Sequence, residues 1–206
     1  MMPDRLSDLR HSFDRWAETY EEDARQGVGV LEGHARSLAT AAGLIQVPPA
    51  QAVLDIGVGT GAFGALFEAQ GAEITGVDLS PRMLELAAAR HPGWRLLEGD
   101  FLALPLPDAS VDVAVSAFAF HHLETAERPA ALAEIFRVVR GGTFLLVDIM
   151  FADEAGKDSA RRRLAGHWDE ENYPVFADLA QSVARVGLNA ALTRLSDLHG
   201  AAVIFR

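Results

Sequence analysis

The stretch Val53-Leu54-Asp55-Ile56-Gly57-Val58-Gly59-Thr60-Gly61-Ala62 decides how the rest of this 206-residue chain is read. An apolar run ends at Asp55, glycines alternate at 57, 59 and 61, and a helix-like pattern with Phe63, Leu66 and Phe67 follows. That order reads as strand, tight turn and helix. Alternating glycines permit positive φ and remove Cβ atoms, so the backbone can press against a ligand while the helix aims its amide groups at it. A nucleotide-like ligand is expected there. Residues 57–62 also match G-x-G-x-x-A, which does not choose between a nicotinamide dinucleotide and another adenosyl ligand.

Outward from the loop the pattern is regular. Short β-rich runs at 52–56, 73–78, 94–98, 111–117 and 142–150 alternate with helical patterns, which implies parallel strands joined by helical crossovers. Ser80 and Pro81 supply an N-cap and a first-turn proline for a helix carrying Leu84, Ala87 and His91. Pro129 opens another, with Leu132, Ile135, Phe136 and Val139 inward and Gly141 just past its end. A helical stretch over about residues 173–186 precedes two apolar runs, 190–195 and 201–205. The connection between them is too short for a crossover helix, so they should pair antiparallel as a hairpin. A mostly parallel sheet with an antiparallel end results.

On the N-terminal side, Leu6, Leu9, Phe13, Trp16 and Tyr20 lie three and four residues apart and predict one amphipathic helix over residues 4–25. Gly27 and Gly29 break it. A second helical segment with Leu31, His34, Leu38 and Ala42 runs to Pro48 and Pro49, and the two helices form a cap.

Two further acids stand where ligands bind in open α/β sheets. Asp78 closes the second strand about twenty residues after the loop, where a carboxylate can accept both ribose hydroxyls. Asp100 follows the third strand with Phe101 beside it, and an acid with an aromatic suits an adenine amino group and its face.

Composition narrows the partners. The formal charge of −11 disfavours nucleic acid, because nonspecific affinity comes from neutralising phosphates and the only dense basic run is Arg161, Arg162 and Arg163. A small-molecule partner is favoured. No run approaches the roughly 18 apolar residues of a membrane span, and the opening MMPDRLSDLR lacks an apolar signal core, so a soluble cytoplasmic protein, monomer or homodimer, is expected. There is no cysteine, and the seven histidines lack H-E-x-x-H spacing, so no metal site is expected.

DIGVGTG, GVDLSPRML, EGDFLALPLPDASVDVAVSAFAFHHL and LAEIFRVVRGGTFLLVD together resemble class I S-adenosylmethionine-dependent methyltransferases, over residues 50–150. The resemblance implies a Rossmann-like three-layer α/β sandwich with a seven-stranded sheet in the order 3-2-1-4-5-7-6, the last strand antiparallel. It implies one methyltransferase domain over 1–206: a helical cap at 1–47, the cofactor core at 50–150 and a helix with a hairpin at 151–206. It further implies that Asp55, Gly57, Gly59 and Gly61 surround the methionine end of S-adenosylmethionine, that Asp78 binds ribose and that Asp100 meets adenine. Leu79, Met83 and Phe101 match positions lining the adenine, and Ser116, Ala117 and Phe118 match the strand end under the methionine portion. Asp55 itself separates this pattern from dinucleotide binders, which usually carry an apolar residue there. FDRWAETYEEDA and the late HWDEENY resemble small bacterial methyltransferases known mainly by their fold, in which the helix matching Tyr20 covers the cofactor.

The expected activity is methyl transfer to a small-molecule acceptor, mainly by positioning for in-line displacement. His121 and His122 follow the fourth strand on the ligand edge. His121, Asp148 or Tyr20 are the candidates to remove or orient an acceptor proton. The alternatives are a noncatalytic protein that binds S-adenosylmethionine or S-adenosylhomocysteine, and an NAD(P)-dependent oxidoreductase.

Overall fold

Side chains of the strand Ala52–Ile56 alternate between two buried faces: Val53 points to one apolar cluster, Leu54 and Ile56 to the other. A strand covered on both sides reads as a continuous apolar run, which is why 52–56 shows no polar alternation until Asp55. The structure is a computed structural model that describes residues 5–168 and 171–206. The strands are β1 (Ala52–Ile56), β2 (Glu73–Asp78), β3 (Arg95–Glu98), β4 (Val111–Ala117), β5 (Val139–Ile149), β6 (Asn189–Arg194) and β7 (His199–Phe205). They form one sheet in the order β3-β2-β1-β4-β5-β7-β6. β7 runs antiparallel to both neighbours and the other pairs are parallel, as the hairpin argument requires.

The helices are α1 (Arg5–Trp16), α2 (Tyr20–Gln26), α3 (His34–Ala42), α4 (Gly64–Glu68), α5 (Pro81–Arg90), α6 (Arg128–Val138), α7 (Glu154–Arg163) and α8 (Phe176–Arg185). One face of the sheet packs Leu54, Ala114, Phe144 and Leu146 against Leu132 and Ile135 of α6 and Leu179 and Val183 of α8. The other packs Val53, Val115, Leu145 and Val147 against Leu38 of α3, Phe67 of α4 and Ala160 of α7. Ser80 caps α5 as expected: its Oγ accepts the Met83 N–H at 3.1 Å and Pro81 opens the helix. Among the described residues no helix is long and apolar enough to cross a membrane.

Four boundaries differ from the sequence reading, each for a physical reason. The expected helix over 4–25, whose first residue lies outside the described residues, is two helices broken at 17–19. Trp16 and Thr19 both donate to Asp23 Oδ2, at 2.8 and 3.1 Å, and staple the bend. Gly27 ends α2 in the left-handed region, at φ 62°. Leu31 sits in a 3-10 turn (Gly29–Leu31) ahead of α3 rather than within it.

Gly141 is not the stop of α6. The helix ends at Val138, β5 begins at Val139, and a register shift opposite Val111 and Val113 marks a bulge. A Cβ on Gly141 would collide with the Asp112 carbonyl, so the glycine serves a strand contact. The C-terminal helix starts at Phe176 instead of near Tyr173 because Tyr173 precedes Pro174, and a residue before proline is disfavoured in helical geometry.

Candidate active site

The three loop glycines do three different things. Gly57, at φ 70°, turns the chain directly beneath Ala119, with whose Cβ a side chain would collide. Gly59, at φ 52°, faces open space: nothing lies within 4 Å of where its Cβ would be. Gly61, at φ 94°, backs onto the stacked His91 and Trp94 rings and lines neither cavity. Gly59 is thus the position where a ligand can come closest to the backbone.

Asp55 ends in a half-satisfied state. Its Oδ2 accepts the Gly64 N–H at 2.8 Å, whereas Oδ1 is buried without a partner, as is Thr60 Oγ1. Burial pushes the Asp55 carboxyl up to about 7, the Gly64 N–H opposes that shift and the charge of Asp78 adds to it. Both residues line a cavity of about 290 Å³ with Tyr20, His34, Gly59 and Ala117. An unpaired buried carboxylate oxygen and hydroxyl suit a ligand that brings an ammonium group.

A larger cavity, about 840 Å³ with its mouth, opens on the other side of Tyr20, Gly57, Gly59 and Ala117. Asp78 stands in its wall with Oδ2 accepting the Gly59 N–H (2.8 Å) and Oδ1 the Ser80 N–H (2.9 Å). Burial raises its carboxyl to about 6 against these backbone donors. Each oxygen retains a lone pair for a further hydroxyl donor. Asp100 follows in the same wall, its Oδ1 accepting the Leu102 N–H at 2.6 Å, and Leu79, Met83 and Phe101 complete an apolar slot. Phe101 is held edge-on to Phe120, centroids 5.5 Å apart.

The end of β4 is strained: Phe118 has φ 52°, rare for a residue with a side chain, and packs 4.4 Å from His34. Ala117 and Phe118 reach the larger cavity, but Ser116 does not. Its hydroxyl, fully buried, donates to the Ile56 carbonyl at 2.7 Å and ties β4 to β1.

Tyr20 lines both cavities, with its hydroxyl 3.4 Å from His34 Nε2. Burial and then the charges of Asp78 and Asp55 push it up to about 12, and burial with the neighbouring His199 pulls His34 down to about 4. Tyr20 therefore stays a neutral donor.

His121 and Asp148 meet but face away from both cavities. His121 Nδ1 is 2.6 Å from Asp148 Oδ1, Asp148 Oδ2 accepts the His121 backbone N–H at 2.9 Å, and both side chains are buried. Of the two adjacent histidines, His122 is the one in the wall of the larger cavity. It was readable in the doubled histidine, but which of two neighbours turns outward depends on the 3-10 turn Phe120–His122, anchored by fully buried Phe120. Thr60 and His34 also line the smaller cavity without a local sequence signal, because nothing in the sequence marks a hydroxyl left unpaired or a histidine turned inward by a cap helix. The roof is α1, whose Leu6, Leu9, Phe13 and Trp16 all face the larger cavity. Of the HWDEENY resemblance, residues 169 and 170 lie outside the described residues.

The sheet order with its reversed β7, together with acids at the ends of β1 and β2 and just past β3, defines the Rossmann-like class of folds that hold S-adenosylmethionine. Residues 53–142 match the family described as methyltransferase domain. An uncharacterized methyltransferase of Geobacillus kaustophilus is 33% identical over 201 residues, covering 93% of this chain and 90% of the relative. The chain belongs to the class I S-adenosylmethionine-dependent methyltransferases, and its cofactor is S-adenosylmethionine.

Solved structures that share the fold include the following two. Magnesium protoporphyrin IX methyltransferase from Synechocystis, with S-adenosylhomocysteine bound, has a TM-score of 0.74 at 16% identity and covers 97% of this chain and 99% of its own. A Haloferax volcanii methyltransferase in complex with a methyltransferase activator also reaches 0.74, at 23% identity, covering 94% and 96%.

Proposed function

We propose that this methyltransferase acts on a small molecule bound beneath α1. The observation that carries the reading is the roof. The apolar stripe of α1 closes over the larger cavity and is fastened at both ends, by Ser80 Oγ donating to Asp14 Oδ1 (2.5 Å) and by the Arg5–Glu127 ion pair. An acceptor in that space is shielded from water and limited in size.

The proposed division of the site follows its chemistry. Asp55 and Thr60 take the cofactor's ammonium end at Gly57 and Gly59, with Tyr20 covering it, and Ala117 and Phe118 lie beneath the methionine portion. Asp78 takes the ribose hydroxyls. Asp100 meets the adenine amino group between Leu79, Met83 and Phe101. Gly61 and Ser116 support this arrangement from behind, the first by seating the turn on His91 and Trp94, the second by tying two strand ends. The bound cofactor supplies a methyl group already activated on a sulfonium. What the chain adds is alignment of the acceptor with that carbon and exclusion of water, effects worth roughly 7 to 11 kcal/mol in the best intramolecular cases.

The test is to incubate the protein with methyl-labelled S-adenosylmethionine and a panel of small phenols, thiols and amines, beside total RNA and protein. Label entering a small acceptor is expected. Label confined to RNA or protein would overturn the small-molecule reading, and binding without transfer anywhere would favour a noncatalytic cofactor binder.

A further inference from the structure

The two histidines after β4 are held in different ways, and the difference assigns them different work. Asp148, at the end of β5, accepts from both the His121 ring and the His121 backbone N–H, and it also takes the Ile149 N–H at 2.8 Å. That clamp fixes the turn that carries His122. The His122 ring lies 4.0 Å from the His121 ring and edge-on to Phe13 of the roof at 4.9 Å. Its carbonyl accepts from Arg5 Nη1 at 3.2 Å, so α1 grips the same residue.

Within this grip His122 Nδ1 is buried without a made hydrogen bond, and Glu171 Oε2 stands 3.5 Å from it. A few tenths of an ångström would close the bond. The two nitrogens of an imidazole stand on different edges of the ring, so an Nδ1–H committed to Glu171 leaves the Nε2 lone pair for the cavity that His122 lines.

We propose that His122 is the catalytic base of this methyltransferase, that Glu171 is the positioning residue that fixes its tautomer, and that the acceptor is therefore a hydroxyl, thiol or ammonium compound whose nucleophile carries a proton. The inference rests on the small-acceptor reading above. In the step, a lone pair of the acceptor atom forms the bond to the methyl carbon, the carbon–sulfur bond breaks and its electron pair returns to sulfur. The acceptor's proton passes to His122 Nε2, giving an imidazolium opposite the Glu171 carboxylate. Burial and the neighbouring His121 lower the affinity of His122 for protons, so the ring starts neutral at neutral pH. His121 and Asp148 hold the turn and touch no reactant.

Two measurements decide it. Nitrogen NMR of histidine-labelled protein bound to S-adenosylhomocysteine, at about pH 7.5, should show His122 protonated on Nδ1 and bare on Nε2, and Glu171→Gln should erode that preference. An Nε2–H tautomer or an imidazolium in the wild type would overturn the proposal. The kinetic arm uses para-cresol, which keeps its proton at that pH, and para-nitrothiophenol, which is already a thiolate. His122→Ala should slow transfer to para-cresol by roughly 10²- to 10⁴-fold and transfer to the thiolate by no more than a few-fold. Equal losses on both would mean that the ring only packs against Phe13, and the base assignment falls. If the wild type methylates neither probe, that counts against the small-acceptor reading, and the tautomer alone settles the role of His122.

Discussion

The floor and the roof of the site are built on different principles. The floor is made of strand ends whose carboxylates are pinned by backbone amides: Gly64 N–H on Asp55, Gly59 and Ser80 N–H on Asp78, Leu102 N–H on Asp100. The roof is one helix with no fully buried residue, fastened through its own side chains: Asp14 to the Ser80 hydroxyl and the Arg82 N–H, Arg5 to Glu127 and the His122 carbonyl, Arg10 to Glu98. Amide-pinned acids cannot move without disturbing the turns and helix starts that follow the strands, whereas an exposed pair such as Arg10–Glu98 is worth at most about 1 kcal/mol. On the reading proposed above, the difference separates donor from acceptor: the floor that takes the cofactor is set by the fold, and the roof is where side chains can vary and with them the molecule admitted.

The sharpest test of the floor is Gly57→Ala. It combines a left-handed backbone with a collision against Ala119, so a loss of about 3 kcal/mol or more in denaturant unfolding is expected. Gly59→Ala meets no neighbour and should cost stability only about 1–2 kcal/mol of backbone strain, yet it should weaken S-adenosylhomocysteine binding in calorimetry. If the two variants bind and unfold alike, the glycines are interchangeable and the division drawn between them is wrong.

Asp78→Ala comes next. It strips the Gly59 and Ser80 amides of their acceptor and should lower S-adenosylhomocysteine affinity by about 2–3 kcal/mol. Affinity within a factor of two of the wild type would remove Asp78 from the cofactor site.

The floor should also answer to pH. Asp55 and Asp78 have folded-state values raised to about 7 and about 6. Their contribution to the stability of the ligand-free protein is present in full below the unfolded value of 3.8 and is lost as pH rises through 6 and 7. On the site division proposed above, cofactor binding needs both carboxylates, so S-adenosylhomocysteine affinity should climb by roughly a hundredfold between about pH 5.5 and 8. Asp55→Asn should flatten that rise. A profile unchanged in Asp55→Asn would show that the ammonium is held elsewhere.

The smallest effect belongs to the roof. Asp14→Ala frees one end of α1 and should raise the dissociation rate of S-adenosylhomocysteine only about three- to tenfold, with little change in the association rate. Should that variant instead match Asp78→Ala, the roof would be as much a part of the donor site as the floor.

The floor was the more legible region for the same reason that it is rigid. VLDIGVGTGA, Asp78 and Asp100 are local signals at strand ends, and a five-residue spacing sufficed to pair the last two strands antiparallel, whereas the sheet order followed from the methyltransferase resemblance. What stayed hidden depended on contacts distant in sequence. Gly141 resembles a helix stop until the Asp112 carbonyl is placed against it. The stripe from Leu6 to Tyr20 keeps helical spacing across a bend that only Asp23 reveals. Ser116 belongs to a cofactor motif by position, yet its hydroxyl is committed to Ile56, and His122 rather than His121 faces the cavity because a 3-10 turn rotates neighbours differently from an α-helix.

The stacking of Trp94 behind Gly61 has an optical consequence. The chain has three tryptophans: Trp16 lies in the roof, Trp94 is sandwiched with His91 against the glycine turn, and Trp168 packs beside Tyr173, 5.2 Å away. Each region thus carries its own emitter. With Trp168 replaced by phenylalanine, the Trp16→Phe and Trp94→Phe backgrounds would let intrinsic fluorescence time the settling of the turn and the seating of the helix as two separate signals from an unlabelled protein.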